Sequence, residues 1–269
     1  MKQTVKRVLY SLCSNALAQR GLQSVATVSE LLMGIGSAGD AASSGEESVL
    51  RRLRDRCTGK CVVIDVGANQ GQFLGVTLRV FAGRPLEVHA FEPSQSTYNT
   101  LEQKYRSAPG VFLNRKALGA TTGTARLYSD QPGSGLASMT QRRLDHFGLQ
   151  QSLVEQIELG TLDEYCVARG LAEIALLKLD VEGHELDVLR GASAQLRRGA
   201  IKRVLFEFGG CNIDTRTYFQ DFYYLFRELD MALYRLTPGG YLAPVRDYRE
   251  LYEKFRTTMF VALRPDSAL

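Results

Sequence analysis

Four acids stand where short apolar runs end: Asp65 after Cys61-Val62-Val63-Ile64, Glu92 after Val88-His89-Ala90-Phe91, Asp180 after Leu176-Leu177-Lys178-Leu179, and Glu207 after Val204-Leu205-Phe206. Runs of this length that break into turns read as buried parallel strands. Open α/β sheets bind ligands beyond the carboxyl ends of such strands, so the four carboxylates line one chemically active edge. The first acid opens Gly67-Ala68-Asn69-Gln70-Gly71, a turn with glycines where backbone must approach a ligand closely. The helix expected over 72–81 aims its N-terminal amides at the same place. These features predict a nucleotide-like cofactor at the first strand-to-helix turn.

The residue types narrow the cofactor. Glu92 follows Gly71 by 21 residues, a spacing at which an acid can accept both hydroxyls of an adenosine ribose. The three-glycine dinucleotide fingerprint is absent, and Asp65 beside the turn would repel a pyrophosphate. S-adenosyl-L-methionine offers a ribose, an amino-acid zwitterion and a sulfonium but no phosphate, and suits this acid-rich edge better than a nicotinamide dinucleotide.

A second constellation is Leu177-Lys178-Leu179-Asp180-Val181-Glu182-Gly183-His184-Glu185, which holds one of only three histidines. Glu182 and Glu185 have the alternative of plain capping at a helix start. Asp180 and His184 read as catalytic, because the fourth strand's end is where a second substrate meets a cofactor laid across the first two. His184, with an ordinary pKa near ~6.5, is the expected general base for a hydroxyl acceptor. Asp180 is the alternative base, or the group that orients His184. In a second route Asp180, Glu182 and Glu207 gather Mg²⁺ and acidify the acceptor; the favoured reading has no metal ligands. His89, inside a strand, and His146, in an irregular segment, read as structural or surface groups.

The elements that must position these groups alternate strand and helix, which predicts an α/β, doubly wound sheet. Residues 1–28 read as helices, Met33 to Ser48 as a glycine- and serine-rich linker, and Glu46 to Arg56 as a helix entering the domain of residues 49–269. Val111 to Leu118 gives a third strand with Thr124 to Ser129 beside it. Ser129 to Gly148 breaks the alternation, and loops of that length are commonly functional. Thr161 caps a helix that Gly170 ends. Another helix from about Glu182 carries Leu186, Leu189, Ser193 and Leu196 along one stripe. The aromatics Tyr218, Phe219, Phe222, Tyr223 and Tyr224 read as a core stripe, with a sugar-stacking wall as the alternative. Two last strands, Ala232 to Leu236 and Met259 to Leu263, flank the Pro238-Gly239-Gly240 turn.

At 269 residues and 45% hydrophobic the chain can bury a full core, and its net charge of +4 is spread among mixed signs. No basic, aromatic face for nucleic acid is evident. Five scattered cysteines without a C-x-x-C pair fit reduced thiols. No apolar run approaches the ~18 residues of a membrane span, and the basic N-terminus has too short an apolar core for a secretion signal. A soluble cytoplasmic protein is expected, with the N-terminal helices offering an arm for a homodimer.

The runs VVIDVGANQGQF (Val62 to Phe73), HAFEPS (His89 to Ser94) and LLKLDVEGHELDVLRGA (Leu176 to Ala192) resemble the FkbM family of S-adenosylmethionine-dependent methyltransferases over roughly residues 50–264. Thr161-Leu162-Asp163 also fits the family. The resemblance implies a class I, Rossmann-like sheet of seven strands, the last antiparallel, behind the N-terminal helical extension of residues 1–48. It implies methyl transfer to a hydroxyl oxygen of a sugar, glycan or secondary metabolite. Gly67, Asn69 and Gly71 would wrap the methionine end, Asp65 would fix its ammonium directly or through water, and Asn114 to Ala117 would border the adenine. Ala68, Phe73, Pro93 and Ser94 belong to the same cofactor-binding runs. The rival readings are a nicotinamide oxidoreductase and a non-catalytic cofactor-binding protein.

Overall fold

The computed structural model describes residues 3–37, 44–267 and 269. Its main sheet begins with β1 (Cys61–Val66), α4 (Gln72–Val80), β2 (Leu86–Phe91), α5 (Gln95–Tyr105) and β3 (Val111–Asn114), preceded by helices α1 (Gln3–Cys13), α2 (Ala16–Leu32) and α3 (Glu46–Arg56). A small second sheet follows, of β4 (Ala117–Leu118), β5 (Gly123–Ser129) and β6 (Leu153–Gly160), and then α6 (Leu162–Arg169). The main sheet resumes with β7 (Leu176–Leu179), α7 (Glu185–Arg190), α8 (Ser193–Arg197), β8 (Arg203–Phe208), α9 (Cys211–Thr215), α10 (Phe219–Glu228), β9 (Ala232–Leu236), β10 (Leu242–Val245) and β11 (Thr258–Leu263).

The strand order β3-β2-β1-β7-β8-β11-β9-β10 reverses direction of winding between β1 and β7, the switch point at which α/β sheets bind ligands. β1, β2, β3, β7 and β8 pair in parallel, and β11 runs antiparallel to both neighbours, as expected for the last strand. The sheet has eight strands rather than seven. Thr237 to Tyr241, with Gly240 at φ 79°, folds β10 back on β9 as a hairpin, so the Pro238-Gly239-Gly240 turn joins these two and not β9 to β11.

Strand alternation divides the core. Val62, Ile64, Leu177, Val204 and Phe206 face α6, α7, α8 and α10; Val63, Leu176, Leu205 and Val261 face α3 and α4. Phe219, Phe222, Tyr223 and Phe226 of α10 are core, so the aromatic stripe is packing, and only Tyr218 and Tyr224 of the five aromatics named above are exposed. The expected third strand splits: β3 stays in the main sheet, while β4 joins β6, which is also the partner of β5. The helix expected from Glu182 breaks between α7 and α8 where Gly191 lies against the Gly119 carbonyl, which a Cβ would meet at 2.0 Å.

The N-terminal helices run on to Leu32, and α2 buries no residue. Val8, Leu12, Leu17, Val25, Val28 and Leu32 are exposed. At its root the expected linker is docked: Gly36 N–H donates to Thr257 O at 2.8 Å, and Glu30 pairs with Lys254 and Arg256. The middle of that linker, residues 38–43, lies outside the described residues. No helix among the described residues is long and apolar enough to cross a membrane.

Gly67 sets the spacing of the sheet's active edge. Its φ is 79°, and a Cβ there would lie 1.8 Å from the Asp180 carbonyl oxygen. Gly67→Ala should therefore destabilise the fold by more than the roughly 1–3 kcal/mol of a strained φ alone, read as a lower urea midpoint at unchanged m.

Candidate active site

The register of β1 against β7 sets Asp65 directly beside Lys178. Both point to the face covered by α3 and α4, and both are buried. Lys178 Nζ lies 3.2 Å from Asp65 Oδ1 and 3.4 Å from Asp180 Oδ2. It also donates to Gly67 O at 3.2 Å and sits 5.6 Å from the centre of the Phe73 ring. Burial by itself would push the ammonium down; the carboxylates of Asp65, Asp180 and Glu46 outweigh it and hold Lys178 above its usual range. The upward push of burial falls instead on the acids. Asp65 is raised by desolvation against the pull of Lys178. Glu46, at the start of α3, is pushed up to about 7 by burial, with Lys178 and Ser44 opposing and Asp180 and Asp65 adding to the rise.

Two connected cavities open at the carboxyl edge of the sheet. One, of about 660 Å³, is lined by Gly67, Asn69, Glu92, Pro93, Ala117 and Met139 among others. Glu92 is fixed at its floor: Asn69 N–H donates to Oε2 at 3.0 Å and Ser94 N–H to Oε1 at 2.9 Å. Burial nevertheless pushes its carboxyl up to about 7. The buried Oδ1 of Asn69 has no hydrogen-bond partner among the described residues. The other cavity is larger and open to solvent, about 2280 Å³, and includes Glu46, Phe73, Arg142, Lys178, Glu207 and Asp214 in its walls. Gly67, Asn69, Gly135, Asp180 and Glu182 line both.

The irregular segment between β5 and β6 covers this junction. Ser138 Oγ donates to Glu182 O at 2.8 Å, and Arg142 forms ion pairs with Glu182 and Asp214. Gln151 fastens the loop to itself, accepting from Arg142 N–H at 2.7 Å and donating to Leu136 O at 2.8 Å. Glu182 is pushed up to about 8 by burial first and then by Asp180, against Arg142. Glu207 is raised by burial, with Asp180 and Glu182 adding to it. Glu185 is a structural acid: its Oε1 accepts from Val181 and Gly183 N–H, closing the turn before α7.

The structure brings together Gly67, Ala68, Asn69, Phe73, Glu92, Pro93, Ala117, Asp180, Glu182 and Glu207 as cavity walls. Four expected cofactor-binding residues stand elsewhere. Asp65 is fully buried beside Lys178 and lines neither cavity. Gly71, at φ 86°, packs against Tyr105 behind the loop. Asn114 ties β2 to β3, donating to Ala90 O and Phe112 O, and Lys116 takes its place at the cavity. Ser94 supports Glu92 through its N–H, while its hydroxyl pairs with Ser96 instead of capping α5.

His184 is the main correction. Glu182 at φ 52° and Gly183 at φ 102° reverse the chain, and the imidazole lines neither cavity. Its Nδ1 is 3.0 Å from Asp187 Oδ2 and its Nε2 3.1 Å from Thr140 Oγ1. Among the described residues no three Asp, Glu, His or Cys side chains are grouped as a metal site. Lys178, Glu46 and Arg142 are the residues that sequence reasoning missed. For Lys178 a signal existed, since a lysine inside an apolar strand demands a partner.

The methyltransferase FkbM domain family matches residues 65–236. The hexuronic acid methyltransferase AglP of Haloferax volcanii is 29% identical over 154 residues, 57% of this chain and 59% of that protein. Methyltransferase 1 of Beauveria bassiana is 28% identical over 144 residues, 48% of this chain and 57% of that protein. The chain thus matches these curated relatives over less than two-thirds of their length. Among solved structures, the methyltransferase FkbM of Methylobacillus flagellatus aligns at a TM-score of 0.45 and 16% identity, covering 75% of this chain and 43% of that one.

Two tests follow from the electrostatics. Removing one member of a buried pair leaves an uncompensated charge, so Lys178→Met should cost about 3–5 kcal/mol in urea unfolding. Lys178→Met combined with Asp65→Asn should cost less than the sum of the two single changes. The second test is pH. Glu46 and Glu92, at about 7, and Glu182, at about 8, hold protons in the fold that they release at ordinary carboxylate pKa when unfolded. The folded state therefore binds more protons between about pH 5 and 8, and stability should fall as pH rises through that window. Glu92→Gln should flatten the decline of Tm over the same range.

Proposed function

The chain belongs to the methyltransferase FkbM domain family, and from that membership we propose that it transfers a methyl group from S-adenosylmethionine to a hydroxyl oxygen of a sugar. The observation that carries the cofactor reading is Glu92, an acid held open to a cavity by two backbone amides, as a ribose diol requires. The residues present suit this cofactor: Glu92 for the ribose, Ala117 and Leu118 for an apolar ring, the unpartnered Asn69 Oδ1 beside the loop, and Lys178 for a carboxylate. A nicotinamide dinucleotide would set its phosphates among Glu92, Asp180 and Glu182. The sugar reading is supported by the name of the archaeal relative, a hexuronic acid methyltransferase.

Bound S-adenosylmethionine supplies a methyl carbon already activated by its sulfonium. The protein has then to align the acceptor oxygen, a contribution worth up to ~7–11 kcal/mol, and to remove the hydroxyl proton. Asp180 is the base in this reading. It lines both cavities and its side chain is 38% exposed, so it can meet an acceptor and pass the proton to water. His184 acts behind it, holding the covering loop through Thr140.

A methyl-transfer assay with a hexuronate-containing glycoside tests the assignment. Asp180→Asn should lower the single-turnover rate about 10²–10⁴-fold, whereas His184→Ala should retain most of it. The product should be an alkali-stable methyl ether; an alkali-labile ester would overturn the hydroxyl assignment. Stabilisation by NAD⁺ and not by S-adenosylhomocysteine would overturn the cofactor, and binding without transfer to any hydroxyl compound would favour a non-catalytic protein.

A further inference from the structure

An amino-acid zwitterion brings an ammonium and a carboxylate, and each needs an opposite charge when it leaves water. The family resemblance assigns the ammonium to Asp65, but Asp65 is paired with Lys178 and lines neither cavity. Lys178 itself reaches the larger cavity beside Ala68 and Phe73 and is the cation available there for a carboxylate. An acid on the same wall must then take the ammonium. Of the acids lining this cavity, Glu182 and Asp214 are paired with Arg142. Glu207 stands on β8, on the side of β7 away from the β1 turn that carries Ala68. Asp180 occupies the junction of the two cavities, where the acceptor's proton must go.

Glu46 remains. It is buried, lines only the larger cavity, and lies within the electrostatic reach of Lys178, Asp180 and Asp65. Among the described residues its carboxylate accepts one side-chain hydrogen bond, from Ser44 Oγ at 2.8 Å. Lys178 is already shared between Asp65 at 3.2 Å and Asp180 at 3.4 Å, and among the described residues no ion pair reaches Glu46. An ammonium entering the cavity would supply the ionic partner that Glu46 lacks there.

We propose that Glu46 receives the ammonium of the cofactor's amino-acid end, so that this end of the site is built from α3, outside the segment of residues 65–236 that matches the family. Lys178 takes the carboxylate, and Asp65 positions Lys178 without touching the ligand. The inference rests on S-adenosylmethionine being the cofactor, and its test separates the two.

Calorimetric titration of the full chain would compare S-adenosylhomocysteine with methylthioadenosine, which has the same adenosine and thioether but lacks the amino-acid group. In Glu46→Gln, affinity for S-adenosylhomocysteine should fall about ten- to a hundredfold, the usual consequence of losing a charged hydrogen bond. Affinity for methylthioadenosine should be unchanged, which also shows that the variant is folded. Equal losses for both ligands, or no loss for either, would overturn the assignment of Glu46. Failure of the unsubstituted protein to bind either ligand would instead overturn the cofactor reading beneath it.

Discussion

The Lys178–Asp65 pair is the constraint on which the active edge depends. Two neighbouring strands present opposite charges on the same face, at a depth where neither would be tolerated alone. The ammonium also holds the Gly67 carbonyl and approaches Asp180, so one group ties the first turn of the sheet to the fourth strand's end. Gly67 must be glycine because this closeness leaves no room for a side chain between the two loops. Buried pairs of this kind contribute little net stability compared with apolar packing, but they fix which groups face a cavity and which stay behind it.

That partition gives the two cavities different characters. The smaller one has Glu92 held by two backbone amides, Asp180 and Glu182 where it meets the other, and apolar walls from Ala117, Leu118, Leu127 and Met139. The larger one is crowded with charges, most of them already paired: Lys178 to Asp65 and Asp180, Arg142 to Glu182 and Asp214, Arg256 to Glu30. Arg143 lines the same cavity without an ion pair to a described residue. The loop carrying Ser138 and Arg142 contributes to the walls of both cavities.

Much of this edge was legible from residue order. A carboxylate at a strand's end is visible because the apolar run before it is visible, and Asp65, Glu92, Asp180 and Glu207 all fall at the edge where alternation placed them. What the acids face was not legible. A one-residue step in a strand turns a side chain to the other face, and a left-handed residue such as Glu182 redirects everything after it. Hence His184, four residues from Asp180, points to Thr140 rather than to the cavity. Lys178 was readable in principle, as a lone charge in an apolar strand, whereas Glu46 and Arg142 reach the site only through tertiary packing. The additional strand β10 escaped because a four-residue edge hairpin carries too little pattern to be distinguished from the loop around it.

The charge balance of the cavity walls also explains why the departures of the first turn from the dinucleotide pattern matter. Three glycines serve to bring backbone amides to phosphate oxygens, and that arrangement works only where the surroundings are neutral or positive. Here the Asn69 amide is already used by Glu92, and the acids around Lys178 outnumber it. A turn whose amides hold a carboxylate cannot also hold a pyrophosphate. The same acids that would repel a phosphate would attract an ammonium and a sulfonium, so the wall charges select against phosphate, while the glycines answer to packing against Asp180 and Tyr105.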